Sequence, residues 1–71
     1  MKLEFQSWEQ LLDHIQAGYL LWYQAPMDYW PAQINATVRK DGQIRVMPIY
    51  TNADPFTADS GHLNRFRRAS R

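Results

Sequence analysis

Residues 30–46 carry the pattern that most restricts what this chain can become. Trp30, Ala32, Ile34, Ala36 and Val38 share one parity, while Pro31, Gln33, Asn35, Thr37 and Arg39 share the other. That is the alternation of a strand with one buried and one solvated face. Lys40-Asp41-Gly42 interrupts it, and Ile44 and Val46 resume the apolar series beyond. A two-residue Asp41-Gly42 loop would pair Lys40 with Gln43 and set Val38 against Arg45, mixing core with solvent. A three-residue loop with Gly42 in the left-handed region pairs Arg39 with Gln43, Val38 with Ile44 and Ala36 with Val46, so the sequence predicts that hairpin. Arg45 then faces Thr37 and shares the outward surface with Arg39. At Met47-Pro48-Ile49-Tyr50 the pattern breaks. Pro48 cannot donate to a ladder, so a bulge, a sheet corner or an edge is expected there.

Upstream, Ser7-Trp8-Glu9-Gln10 reads as a capping box, with Ser7 on the Gln10 amide and the Gln10 side chain returning to the Ser7 amide. The helix is expected over 7–17, closed by Gly18. Its residues Trp8, Leu11, Leu12 and Ile15 form one apolar stripe, while Glu9, Asp13, His14 and Gln16 face water. Three turns are marginal alone, so the stripe should dock on the sheet; the alternative is a helix that binds a partner. Tyr19-Leu20-Leu21-Trp22-Tyr23 has no polar alternation and suggests a strand buried on both faces, broken by Ala25-Pro26-Met27-Asp28. Turns are expected at Thr51-Asn52-Ala53-Asp54-Pro55 and Asp59-Ser60-Gly61. The spacing of Leu63 and Phe66 suits a 3₁₀ turn, followed by a short strand or a frayed tail.

The 71 residues, 45% hydrophobic and without cysteine, fit one domain over 1–71 and are too few for a TIM barrel or a full Rossmann sheet. Neither a disulfide framework nor a thiolate metal site is open to them, so aromatic and aliphatic burial must hold the fold, with a homodimer as a further source of it. Glu4 interrupts the apolar run that a signal peptide needs, and no stretch reaches the ~18 apolar residues of a membrane span, so a cytoplasmic protein with no membrane partner is expected. Asn35-Ala36-Thr37 is read as strand, not as a glycosylation site. The net charge of +1 conceals an asymmetry. Residues 1–30 set Lys2 against Glu4, Glu9, Asp13 and Asp28, whereas the end of the chain carries Arg65, Arg67, Arg68 and Arg71 with no acid after Asp59. A basic tail over 65–71 is expected, and guanidinium forks suit phosphate oxygens.

Together these elements predict a mainly β (α+β) domain, a small barrel over about 19–67 with one N-terminal amphipathic helix packed on it. Short strands, a tight hairpin and a terminal 3₁₀ turn resemble an SH3-like barrel. Tyr29-Trp30-Pro31-Ala32-Gln33-Ile34 is similar to the aromatic-Pro-Ala-x-aliphatic strand of the Tudor and PWWP group, although the helix lies outside the shared pattern. The resemblance implies a cage of aromatic rings for a methylated side chain, since rings attract a desolvated quaternary ammonium. Tyr23, Tyr29, Trp30, Tyr50 and Phe56 are the candidates, with Asp28 or Asp54 at the rim. Trp30, on the core parity, and Tyr50, after Pro48, are also candidates for burial.

The first functional expectation is nevertheless a nucleic-acid-binding face, with rings such as Tyr23 and Tyr29 stacking on bases and Arg39, Lys40, Arg45, Arg65, Arg67 and Arg68 taking phosphates. The sequence pI of about 8.1 is below the value above about 9 that marks a strongly basic binder. Catalysis has little support. Asp59, Ser60 and His62 are sequence neighbours and cannot converge as base, orienter and nucleophile, so an Asp-capped turn is expected. His14 should be solvated, and two histidines without cysteine give no metal-ligand spacing. Val46-Met47-Pro48-Ile49-Tyr50 resembles the Val-Gln-Ile-Tyr segment of plasmid-type dihydrofolate reductases, tetrameric SH3-like enzymes, but Pro48 intervenes and the Gln is missing. The sequence thus points to a non-enzymatic module without cofactor or metal, binding nucleic acid or, alternatively, a peptide or methylated side chain.

Overall fold

The three-residue hairpin forms as its apolar faces require. In the computed structural model, which describes residues 2–50 and 52–69, the chain runs through β1 (Lys2–Glu4), α1 (Trp8–Gln16), β2 (Leu21–Tyr23), β3 (Ala32–Val38), β4 (Ile44–Pro48), β5 (Phe56–Ala58), a 3₁₀ turn (Ser60–Arg65) and β6 (Phe66–Ala69). Val38 pairs with Ile44, Ala36 with Val46 and Thr37 with Arg45. The Arg39 amide donates to the Gln43 carbonyl at 2.7 Å, and Gly42 turns at φ +83°. The pairing runs unbroken to Ile34 and Pro48, which ends β4. The proline therefore marks a strand end, where its missing donor costs nothing.

The six strands make one antiparallel sheet in the order β1-β6-β2-β3-β4-β5. Strands β2 to β5 form a meander. The 3₁₀ turn then reverses the chain and lays β6 between β2 and β1. β1 and β5 are the two edges, and no pairing among the described residues joins them. The small α+β class with a packed helix is as the sequence predicts. One end adds a strand outside the barrel expected over about 19–67, and at the other the short final strand forms in place of the basic tail expected over 65–71. Lys2–Glu4 is a strand, although three residues are too short to show a period. Arg67 and Arg68 belong to β6, opposite Glu4 and Leu3, and Arg65 ends the 3₁₀ turn, so residues 65–69 are no tail; Ser70 and Arg71 lie outside the described residues.

The core consists of Phe5, Leu11, Leu21, Ile34, Ile44, Val46, Ala58 and Phe66, with Trp8, Leu12, Ile15 and Tyr23 half-buried against it. Helix α1 is docked, though only Leu11 of its stripe is fully enclosed. The Ser7 hydroxyl accepts from the Gln10 amide at 3.1 Å as a cap should, but Gln10 reaches back to the Gln6 amide, at 2.8 Å, and not to that of Ser7. A long-range bond fixes the helix to the hairpin: the Trp8 indole N–H donates to the Gly42 carbonyl at 2.9 Å. No helix among the described residues is long and apolar enough to cross a membrane.

The strand expected from Tyr19 to Tyr23 is shorter. Tyr19 and Leu20 are exposed, because the chain is still leaving the helix there: Gly18 turns at φ +84° and the Tyr19 amide still reaches the His14 carbonyl. Pairing starts only where Leu21 meets Ile34. Trp30 is likewise not core. β2 ends at Tyr23, opposite Ala32, so no ladder extends back to Trp30, and parity loses its meaning outside the strand.

Candidate functional site

Because Ile34 lies opposite Pro48, the segments before β3 and after β4 emerge at the same end of the sheet. Segment 24–31 is anchored by the Gln24 amide on the Arg65 carbonyl (2.8 Å), the Asp28 amide on the Ala25 carbonyl (3.0 Å) and the Gln24 side chain on the Asp28 carbonyl (3.0 Å). Those bonds use the Asp28 backbone and leave its carboxylate out of the scaffold. Exposed on this end are Met27 (90%), Tyr29 (91%), Trp30 (81%) and Tyr50 (75%). Such surface is costly to leave in water, so its concentration at one end is informative.

The strand ends between these segments carry a packed ring cluster. Tyr23 packs edge-on against Phe56 and Phe66, with centroids 5.2 and 5.1 Å apart. Between the two segments a cavity of about 140 Å³ is walled by Tyr23, Phe56, Ala32, Ile34 and Pro48, with Asp28 and Gln33 as its polar lining. Segments 24–31 and 48–55 contain Asp28 and Asp54 and no Lys or Arg. The five candidate rings therefore lie toward one end in two roles: Tyr23 and Phe56 are packed and line the cavity, while Tyr29, Trp30 and Tyr50 are exposed in the two segments beside it and do not line it. Met27 and Ile49 are exposed in the same two segments; one lies in a segment read only as a strand breaker, the other in an irregular strand end.

The basic residues are divided. Arg39, Lys40 and Arg45 lie at the hairpin end, with Arg39 Nε 3.6 Å from Asp41 Oδ1 and its Nη1 donating to Thr57 Oγ1 at 3.4 Å. Arg65 and Arg67 line a groove with Gln24, Asp28 and Asn64, and the Arg67 guanidinium donates to the carbonyls of Asn64 and Phe66. Arg68 has the opposite parity from Arg67 and lines a separate cavity with His14 and Tyr19. Arg67 and Arg45 are four residues apart along β3 and three strands apart across the sheet, about 20 Å by ordinary strand spacings. That exceeds the Debye length of ~8–10 Å at physiological salt. Between them Trp22 is capped by the Lys2 ammonium, 3.8 Å from its ring centre, so that face is not free to stack on a base.

The catalytic-looking triplet is a cap: the Gly61 amide donates to Asp59 Oδ1 at 3.0 Å and the His62 amide to the Asp59 carbonyl at 2.9 Å. His14 is corrected from solvated to half-buried, edge-on to Phe5 at 5.0 Å and bonded to the Leu20 carbonyl. No group of three metal-ligating side chains occurs among the described residues. The chain matches no protein-family model, no curated protein and no solved structure.

Proposed function

We propose that the protein is a non-enzymatic, SH3-like protein-interaction module that holds a cationic side chain of a partner polypeptide, best an N-methylated lysine, at the aromatic end of the sheet. One observation carries this reading. Tyr29, Trp30 and Tyr50 are exposed in the two segments that flank a small apolar cavity with Asp28 on its wall, and the only charges of those segments are acidic. Ring faces and a carboxylate both attract a cation, and each close ring–cation contact contributes about 0.5–2 kcal/mol. Methylation removes N–H donors that the apolar walls could not satisfy. The topology supports the SH3-like reading, since a meander is followed by a 3₁₀ turn and a last strand beside the first of the meander. The divided arginines are the reason this reading displaces nucleic acid.

The test is a titration with short peptides carrying lysine, trimethyllysine or glutamine at one position, followed through Trp30 fluorescence in a variant with Trp8 and Trp22 replaced by Phe or, if that variant is unstable, by amide NMR. Trimethyllysine should bind tightest and glutamine not at all, with little dependence on salt, and Trp30→Ala should weaken binding at least tenfold. Binding to DNA or RNA that falls log-linearly with salt, with no preference among the peptides, would restore the nucleic-acid reading.

A further inference from the structure

The polar groove lined by Gln24, Ala25, Asp28, Asn64, Arg65 and Arg67 adjoins the aromatic end. Ala25 and Asp28 line the small apolar cavity as well, so two sites of different character meet at one segment. The Gln24 amide on the Arg65 carbonyl, at 2.8 Å, ties the two walls of the groove together and fixes their separation. Its cations are not neutralised within the fold. The Arg65 side chain makes no hydrogen bond or ion pair among the described residues, and Arg67 uses Nη1 on the Asn64 and Phe66 carbonyls, leaving Nε and Nη2 without a partner there. Both residues are half-buried. Among such described residues the only side-chain nitrogen or oxygen that is both enclosed and unpartnered is Arg68 Nε, so the unpartnered nitrogens of Arg65 and Arg67 reach solvent. Asp28 lines the same groove, and Glu4 stands opposite Arg67 on β1. Neither carboxylate forms an ion pair among the described residues.

We infer that this groove takes an acidic side chain, Asp or Glu, of the partner polypeptide, two residues from the cation held at the aromatic end. The inference rests on the reading proposed above and adds a sequence requirement to it. Two guanidinium groups on one accessible wall favour a carboxylate, which accepts charge-assisted hydrogen bonds from both. Side chains i and i+2 of an extended peptide project to the same side about 7 Å apart, a span that suits two sites sharing Ala25 and Asp28. A cavity with an acid on its wall beside a groove with two cations is complementary to a peptide cation with an anion next to it. The same arrangement disfavours a second lysine in the groove.

The probes are trimethyllysine peptides with Glu, Gln or Lys at the second position before or after the modified residue, titrated into ¹⁵N-labelled protein by NMR. On one of the two sides Glu should bind about fivefold tighter than Gln, and Lys more weakly than Gln, the scale of a part-exposed ion pair. Glu alone should shift the Arg65 Nε–Hε resonance, a readout that needs no variant. Raising salt from about 0.15 to about 0.5 M should shrink the preference for Glu below about twofold. Arg65→Gln should erase that preference, and Arg65→Glu should reverse it in favour of Lys. Equal binding of the Glu, Gln and Lys peptides on both sides, or a parent-like preference in Arg65→Gln, overturns the inference and leaves the cavity reading standing. If no trimethyllysine peptide binds, that reading fails and the inference with it. Displacement of the Glu peptide by oligothymidylate, weakening log-linearly with salt, would assign the groove to phosphate and overturn the inference too.

Discussion

The two ends of the β3–β4 ladder are built on opposite plans. At the hairpin end a three-residue turn is tied down by short bonds: Arg39 N–H to Gln43, Gly42 N–H to Arg39, Gln43 N–H to Asp41 and Trp8 N–H to Gly42. At the other end two longer segments expose five large apolar side chains to water beside the packed rings of Tyr23 and Phe56. The first end specifies register and holds the helix. The second leaves its largest apolar side chains in water, and it is on that exposed surface that the proposed recognition rests.

Mutations should separate the ends in order of effect. Ile44→Ala, next to the turn and fully buried, should lower unfolding stability by about 2–5 kcal/mol in a urea titration. A loss below about 1 kcal/mol would mean that the hairpin end is not the anchor. Gly42→Ala should cost about 1–2 kcal/mol. An added Cβ there meets nothing within 4 Å, so the whole effect is conformational and Gly42→Asn should recover part of it. Trp8→Phe keeps the ring packing and strands the Gly42 carbonyl, which should cost about 1 kcal/mol. Smallest of all, Tyr29→Ser with Trp30→Ser should change stability by no more than about 0.5 kcal/mol while removing peptide binding. If that double variant unfolds like Ile44→Ala, the rings are structural and the contrast between the ends collapses.

Much of the aromatic end was legible as residue types and little of it as geometry. Tyr29, Trp30 and Tyr50 could be named because the resemblance implies a cage of aromatic rings and these rings fall at strand ends or loop starts. Their exposure could not be read, since Trp30 continues the parity of Ala32 and Ile34 and only the end of β2 at Tyr23 releases it from the ladder. The division of the basic residues was hidden for a related reason. Arg67 and Arg68 looked like one cluster, but a strand sends neighbours to opposite sides, and Phe66 in the core forces Arg68 inward. The Arg68 cavity had no local signal at all, because Tyr19 and Leu20 read as a buried strand.

What the sequence determined by itself is what short-range physics fixes. The register of 36–46 follows from a period of two across a glycine turn, the helix from Ser7 and a 3.6-residue stripe, and the 3₁₀ turn from Asp59 and the Leu63–Phe66 spacing. Tertiary structure alone decided that Lys2–Glu4 is a strand, that β6 lies between β1 and β2, and that Trp8 bonds to Gly42. Each of these joins segments more than thirty residues apart. A three-residue strand has too few positions to show a period, and its pairing becomes favourable only once the core beneath it is closed.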